Sequence, residues 1–176
     1  MDKPSSDFHF KGMSFLFKIR DVLFPRKNVL KEVGLQSGSY VLDYGCGTGS
    51  YITPLAKMVG KTGKIYALDI PPLAVQKVQR IASTKKISNI ETIQSDCQTG
   101  LPEKSIDVVL LYDILHELSE PDKIFKELHR ILKADGILSC SDHHLGESEI
   151  ESKLTNTGLF KLKKKEQKTF SFVKRE

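Results

Sequence analysis

Short apolar runs recur along the chain, and between them lie segments whose apolar positions fall three and four apart. Tyr40-Val41-Leu42, Lys64 to Leu68, Ile90 to Gln94, Ile106 to Leu111 and Ile137 to Cys140 have the length and composition of buried strands. The stretches between them read as helices. Arg26 to Val33 is ended by Gly34, and Tyr51 to Val59 holds Pro54 near its first turn, where proline is tolerated. Leu73 to about Ser83 places Ala74, Val75, Val78, Ile81 and Ala82 on one face. A further helix buries Ile124, Phe125, Leu128, Ile131 and Leu132; Ser119 is expected to cap it, with Pro121 in its first turn and Lys133-Ala-Asp-Gly136 closing it. Glu147 to Thr157 is a weaker helix that Gly158 terminates, and Leu159 to Thr169 and Phe170 to Lys174 alternate as a final hairpin. Strand and helix in regular alternation predict an α/β fold with a parallel sheet and right-handed crossovers. The hairpin would insert one antiparallel strand.

Upstream, Met13 to Phe24 sets Phe15 or Leu16, Ile19, and Val22 or Leu23 at helical spacing before Pro25. That pattern fits a helix packed on the domain, a lid over a substrate site, or a surface touching lipid. The chain divides into an N-terminal helical or lid segment, residues 1–25, and one domain, residues 26–176, with no internal repeat. At 176 residues there is enough chain for a sizeable core, and the 39% hydrophobic and 28% charged fractions are ordinary for a globular domain. Cys46, Cys97 and Cys140 have no metal-type spacing, and their odd number argues against a disulfide framework, so a reducing cytoplasm is the expected compartment. No apolar run approaches the roughly 20 residues that cross a bilayer, and the charged start MDKPSSD does not read as a signal peptide. The net charge of +5 is concentrated in Lys161, Lys163, Lys164, Lys165 and Lys168. A lysine-guarded edge strand accounts for that cluster as well as nucleic acid does, so nucleic acid is not the expected partner.

Candidate chemistry centres on YVLDYGCGTGSYI, residues 40–52. A buried strand ends in Asp43 and runs through Gly45, Gly47 and Gly49 into a helix, the first half of a nucleotide-binding βαβ unit. A dinucleotide fingerprint needs glycine where Ser50 stands, and Asp43 would repel a pyrophosphate while attracting a cation. S-adenosylmethionine (SAM) carries a sulfonium and an ammonium and no phosphate. VLDYGCGTG resembles motif I of the class I SAM-dependent methyltransferases, and KELHRILKADGIL is similar to that family's helix and strand at the corresponding place. By pattern the resemblance is to the type-11 and ubiquinone/menaquinone-biosynthesis-like members, over about residues 28–176.

The resemblance implies a Rossmann-like, seven-stranded, mostly parallel sheet in the order 3-2-1-4-5-7-6, with helices on both faces and SAM as cofactor, S-adenosylhomocysteine (SAH) as product. It places Asp43, Tyr44, Gly45, Cys46, Gly47 and Gly49 on the cofactor. Asp69, with Ile70 beside it, meets the ribose hydroxyls, although Asp69 also suits a helix cap before Pro71-Pro72. Asp96 and Cys97 meet the adenine end, and Tyr112 opens the segment where the methionine end and the acceptor meet. Tyr44, Tyr51 or Tyr112 can offer a ring face to a sulfonium. The expected acceptor is a small molecule; RNA or protein methylation, or SAM binding without transfer, are the alternatives. The base candidates are His116, Asp113, His143 and His144. His116 lies one turn after Asp113, so a carboxylate–imidazole pair is expected there, against the alternative that both are structural. Adjacent His143 and His144 make a poor chelate, and no metal is expected. Oligomeric state is not legible.

Overall fold

The computed structural model describes residues 26–175. The expected helix at Met13 to Phe24 therefore lies outside the described residues. The first element is α1, Arg26–Glu32, with Gly34 beyond it at φ +73°. Then β1 (Tyr40–Tyr44), α2 (Ile52–Val59), β2 (Lys64–Asp69), α3 (Pro72–Lys85), β3 (Ile90–Gln94) and β4 (Ile106–Tyr112) alternate as the sequence predicts. A single 3₁₀ turn, Leu115–Glu117, leads to α4 (Pro121–Ile131). The chain closes with β5 (Leu132–Ser141), α5 (Glu147–Thr155), β6 (Phe160–Lys165) and β7 (Phe170–Lys174).

The strands form one sheet in the order β3-β2-β1-β4-β5-β7-β6, with β1 to β5 parallel and β7 antiparallel to both β5 and β6. Successive side chains of a strand point to opposite faces, so a strand covered on both sides must be apolar at every position. From Val108 to Leu111 β4 meets that requirement; Asp107 lies near its amino end. Val108 and Leu110 join Val41, Ile65 and Ala67 under α1, α2 and α3, where Leu30, Leu55, Val59 and Val78 are buried. Val109 and Leu111 join Leu42, Leu68 and Leu138 on the other face, under Phe125, Leu128 and Ile131 of α4 and Leu154 of α5. Among the described residues β6 has only one neighbour, and its Lys161, Lys163, Lys164 and Lys165 are exposed, the guarded edge anticipated from composition. Lys164 pairs with Glu166 and Lys165 with Glu147.

Three boundaries differ from expectation, one being β6, which spans Phe160–Lys165 rather than Leu159 to Thr169. Glu120, not Ser119, occupies the cap position of α4, and Pro121 is its first residue. Lys133 to Gly136, expected as a closing turn, belongs to β5, which starts directly at Leu132. The pairing of β4 with β5 shifts between Ile106↔Leu132 and Val108↔Ile137, so the extra residues bulge and leave Lys133 free to reach Asp107 Oδ1 at 2.6 Å.

Candidate functional site

The parallel strands point their carboxyl ends at one edge, where ligands of open α/β sheets bind. The first loop there is Gly45 to Gly49. Gly45, Gly47 and Gly49 have φ of +79°, +50° and +77°, conformations that side chains rarely adopt, which is why glycine alternates. A Cβ on Gly49 would come within 2.8 Å of Ile81 Cδ1, whereas one on Gly47 would meet only the Gly45 carbonyl oxygen, at 4.0 Å. Thus Gly49 seats the loop on α3, and Gly47 leaves its backbone approachable.

Asp69, at the end of β2, braces this loop. Its Oδ2 accepts the Gly47 N–H at 2.6 Å and its Oδ1 accepts the Ile70 N–H at 2.8 Å. The expected helix-cap role is not its own, because Pro71 holds the cap position of α3. Asp43 stands beside Asp69, fully buried, and its Oδ2 has no hydrogen-bond partner. Burial, reinforced by the charge of Asp69, raises the Asp43 pKa to about 7. Asp69 is raised to about 6, again by burial, against the lowering effect of its two backbone donors. Two crowded carboxylates, one with an orphan oxygen, make this corner receptive to a cation.

Next to it, Tyr44, Ile70, Asp96, Cys97, Leu118 and Lys123 line a narrow cleft. The Tyr44 hydroxyl donates to the Asp96 carbonyl at 2.8 Å, tying β1 to the turn after β3. Cys46, Cys97 and Cys140 are all buried free thiols, and burial raises the Cys46 thiol well above its ordinary range. Tyr112 is buried, shares a 2.8 Å hydrogen bond with Ser139, and packs its ring 5.1 Å from that of Tyr51. Tyr51 is therefore the aromatic face that borders the larger space beyond.

That space is a cavity of about 540 Å³ at the ends of β4 and β5, bordered by α1 and the β6–β7 turn. Val29, Tyr51, Leu145, Ile150 and Phe170 give it apolar walls, and Asp113 and His143 stand among its polar groups. The pairing expected between Asp113 and His116 is corrected here. His116 Nδ1 donates to Asp142, at 3.0 Å from Oδ1 and 2.8 Å from Oδ2. Asp113 instead accepts from His143 Nδ1 at 2.7 Å. The reason is local: Asp113 has φ +54°, outside any helix, and His116 sits in the 3₁₀ turn, so the i, i+3 spacing does not bring them together. Asp142, which is not among the expected site residues, also accepts the backbone N–H of His116 and His144. It thereby locks the turn after β4 to the turn after β5. Among the described residues no group of histidines, cysteines and acids could hold a metal ion, and no helix is long and apolar enough to cross a membrane.

Residues 35–173 match the family described as "Methyltransferase domain". Among curated proteins, the demethylmenaquinone methyltransferase of Geobacillus stearothermophilus is 29% identical over 133 residues, 75% of this chain and 57% of that protein. The same enzyme of Staphylococcus saprophyticus is 33% identical over 117 residues, 65% of this chain and 49% of that protein. The chain thus spans about half the length of these relatives. Among solved structures, a SAM-dependent methyltransferase from Aquifex aeolicus superimposes with a TM-score of 0.79 at 30% identity, covering 88% of this chain and 92% of that one.

Proposed function

The chain belongs to the class I SAM-dependent methyltransferases, and from that premise we propose that it moves a methyl group from SAM to a small-molecule acceptor with a hydroxylated aromatic ring. The observation that carries the cofactor side is the orphan Oδ2 of Asp43, a buried acceptor awaiting a cationic or hydrogen-bonding ligand. The glycine backbone beside it is open at Gly47, and both features fit a sulfonium-bearing amino acid. Asp43 and the backbone of Tyr44 to Gly49 would hold the amino-acid end, Asp69 the ribose, and Ile70, Asp96 and Cys97 the adenine in the adjoining cleft. SAM supplies a methyl group on a cationic sulfur, an activated donor that needs positioning more than further activation.

The chain's own residues supply that positioning. Tyr51 and Tyr112 form a rigid aromatic wall between the loop and the cavity. Val29, Ile150 and Phe170 offer an apolar acceptor its contact surface in the cavity. At about 540 Å³ the cavity has the size of small-molecule sites and is concave rather than an open basic groove. The curated relatives are named for demethylmenaquinone, a ring acceptor, and such an acceptor suits these walls.

The test is transfer from methyl-labelled SAM to a panel: hydroxylated naphthalenes including reduced 1,4-naphthoquinone, simple phenols, thiols, total RNA and mixed protein. Label is expected in the hydroxylated aromatics. Label confined to RNA or protein would overturn the acceptor assignment, and bound SAM with no transfer to anything would make the chain a SAM-binding protein.

A further inference from the structure

Resting on that reading of the acceptor, we infer that His143, held in place by Asp113, is the base that takes the proton of the acceptor's hydroxyl. His143 is the histidine that lines the cavity, and its side chain is 64% exposed. An ionised carboxylate can only accept, so the 2.7 Å contact of Asp113 Oδ1 with His143 Nδ1 puts the proton on Nδ1. The lone pair then resides on Nε2, the nitrogen not engaged by Asp113. The backbone supports this aim. Asp113 adopts φ +54°, a conformation costly for most side chains, while its N–H donates to the Ser141 carbonyl at 2.7 Å. The strained residue delivers its carboxylate across from the end of β4 to the turn after β5.

His116 cannot serve in the same way. Its Nδ1 is taken by Asp142, its Nε2 lies 3.6 Å from Glu117 Oε1, and it does not border the cavity. It acts as a positioning residue. The His144 ring lies between them, its centroid 3.9 Å from that of His143 and 4.2 Å from that of His116 and tilted 41° and 47° to their planes, so His116, held by Asp142, packs toward the base through one intervening ring.

The step is a proton transfer. The O–H bond of the acceptor breaks, its electron pair stays on the acceptor, and a new N–H bond forms at His143 Nε2. The imidazolium so formed faces Asp113, with Glu147, Glu166 and Asp142 also around the cavity against the cations Arg26 and Lys168. Its exposed ring then returns the proton to solvent. A base placed there implies an acceptor that arrives neutral and protonated, a ring hydroxyl rather than a thiolate or an amine that is already nucleophilic.

The experiment uses the chain saturated with SAH, 1-naphthol as probe, and long-range ¹⁵N–¹H spectra of the imidazoles. His143 is expected as the Nδ1–H tautomer, and 1-naphthol should shift its Nε2 resonance. In Asp113→Asn the balance should move toward the Nε2–H form. With SAM in place of SAH, the rate of methyl transfer to 1-naphthol should fall about tenfold or more in His143→Gln, with thermal unfolding and SAH affinity as the check on fold. An Nε2–H tautomer for His143 overturns the inference. So does the absence of a His143 response at saturating 1-naphthol, whether the probe stays outside the cavity or enters without meeting the imidazole. SAH binding with an unresponsive His143 would defeat this inference alone, whereas failure to bind SAH would defeat the proposed function itself.

Discussion

Asp69→Ala is expected to weaken SAH binding by about a hundredfold or more while leaving the sheet intact. Two effects combine. A carboxylate on the ribose hydroxyls forms charge-assisted hydrogen bonds worth roughly 1.5–3 kcal/mol each, so losing two corresponds to at least about 3 kcal/mol and two decades of affinity. The same carboxylate holds the glycine loop through the Gly47 N–H and the helix entrance through the Ile70 N–H. Its removal leaves two backbone donors without their acceptor and frees the loop to leave its ligand-ready shape. Asp69→Asn retains one acceptor but aims an N–H₂ at one of these donors, so it should also fail. Calorimetry with SAH, beside a circular-dichroism melt, separates lost binding from lost fold. Unchanged affinity in Asp69→Ala would remove the ribose assignment.

The second large effect is a pH dependence of SAH affinity centred on Asp43. In the free chain burial and the neighbouring Asp69 raise its pKa to about 7. The ammonium group of SAH, which has no sulfonium, selects the ionised form, so affinity should rise with pH and be about tenfold weaker at pH 6 than at pH 8. Near pH 7, where about half the free chain carries the proton, binding should release up to about half a proton. The sign for folding is opposite. A raised acid contributes stability that is complete below its unfolded value near 3.8 and is lost as pH rises through about 7. Asp69, raised to about 6, acts in the same direction. His129, lowered by burial and by Lys174, contributes the other way as pH falls below 6.5, so melting temperatures mix these effects. Affinity reports the two acids without His129, whose ring packs against Phe160 of β6, outside the cofactor corner. Calorimetry in buffers of different ionisation enthalpy counts the protons, and Asp43→Asn should remove most of the dependence, leaving the smaller part that Asp69 contributes around pH 6. Affinity that is flat, or higher at pH 6, would contradict the role given to Asp43.

The parts of this molecule that follow from local pattern are legible in the amino-acid sequence. Alternation and apolar runs locate β1 to β4 within a residue or two, because burial on both faces keeps a run such as Val108 to Leu111 of β4 wholly apolar. The spacing of Gly45, Gly47 and Gly49 after Asp43 declares a ligand loop, since only backbone conformation explains glycine at alternate positions. The strand order comes from resemblance, because periodicity says nothing about which strands are neighbours. What stays hidden depends on residues far apart in the chain. By composition β5 begins at Ile137, since Lys133 to Gly136 are turn-like; their strand state depends on the bulged pairing with β4. At Gly136 an added Cβ would meet Leu132 Cγ at 2.8 Å and the Asp107 carbonyl at 3.1 Å, so that glycine marks close strand approach and not a helix end. The acid–imidazole pairs are hidden for the same reason. Asp113 and His116 are three residues apart, but their true partners are His143 and Asp142, across two strands. Asp142-His143-His144 following an apolar strand is the available signal. On spacing alone it suggests a poor metal chelate, whereas it marks the facing wall of the cavity.

The central claim is that the loop at the end of β1 and Asp69 bind a sulfonium-type adenosyl cofactor and not a dinucleotide. Isothermal titration of the chain with SAH and, separately, with NAD tests it most directly. One SAH per chain and no heat with NAD are expected, because Ser50 replaces the glycine that a dinucleotide turn requires and the Asp43–Asp69 corner repels a pyrophosphate. Saturable binding of NAD, or no binding of SAH by the folded chain, would contradict it.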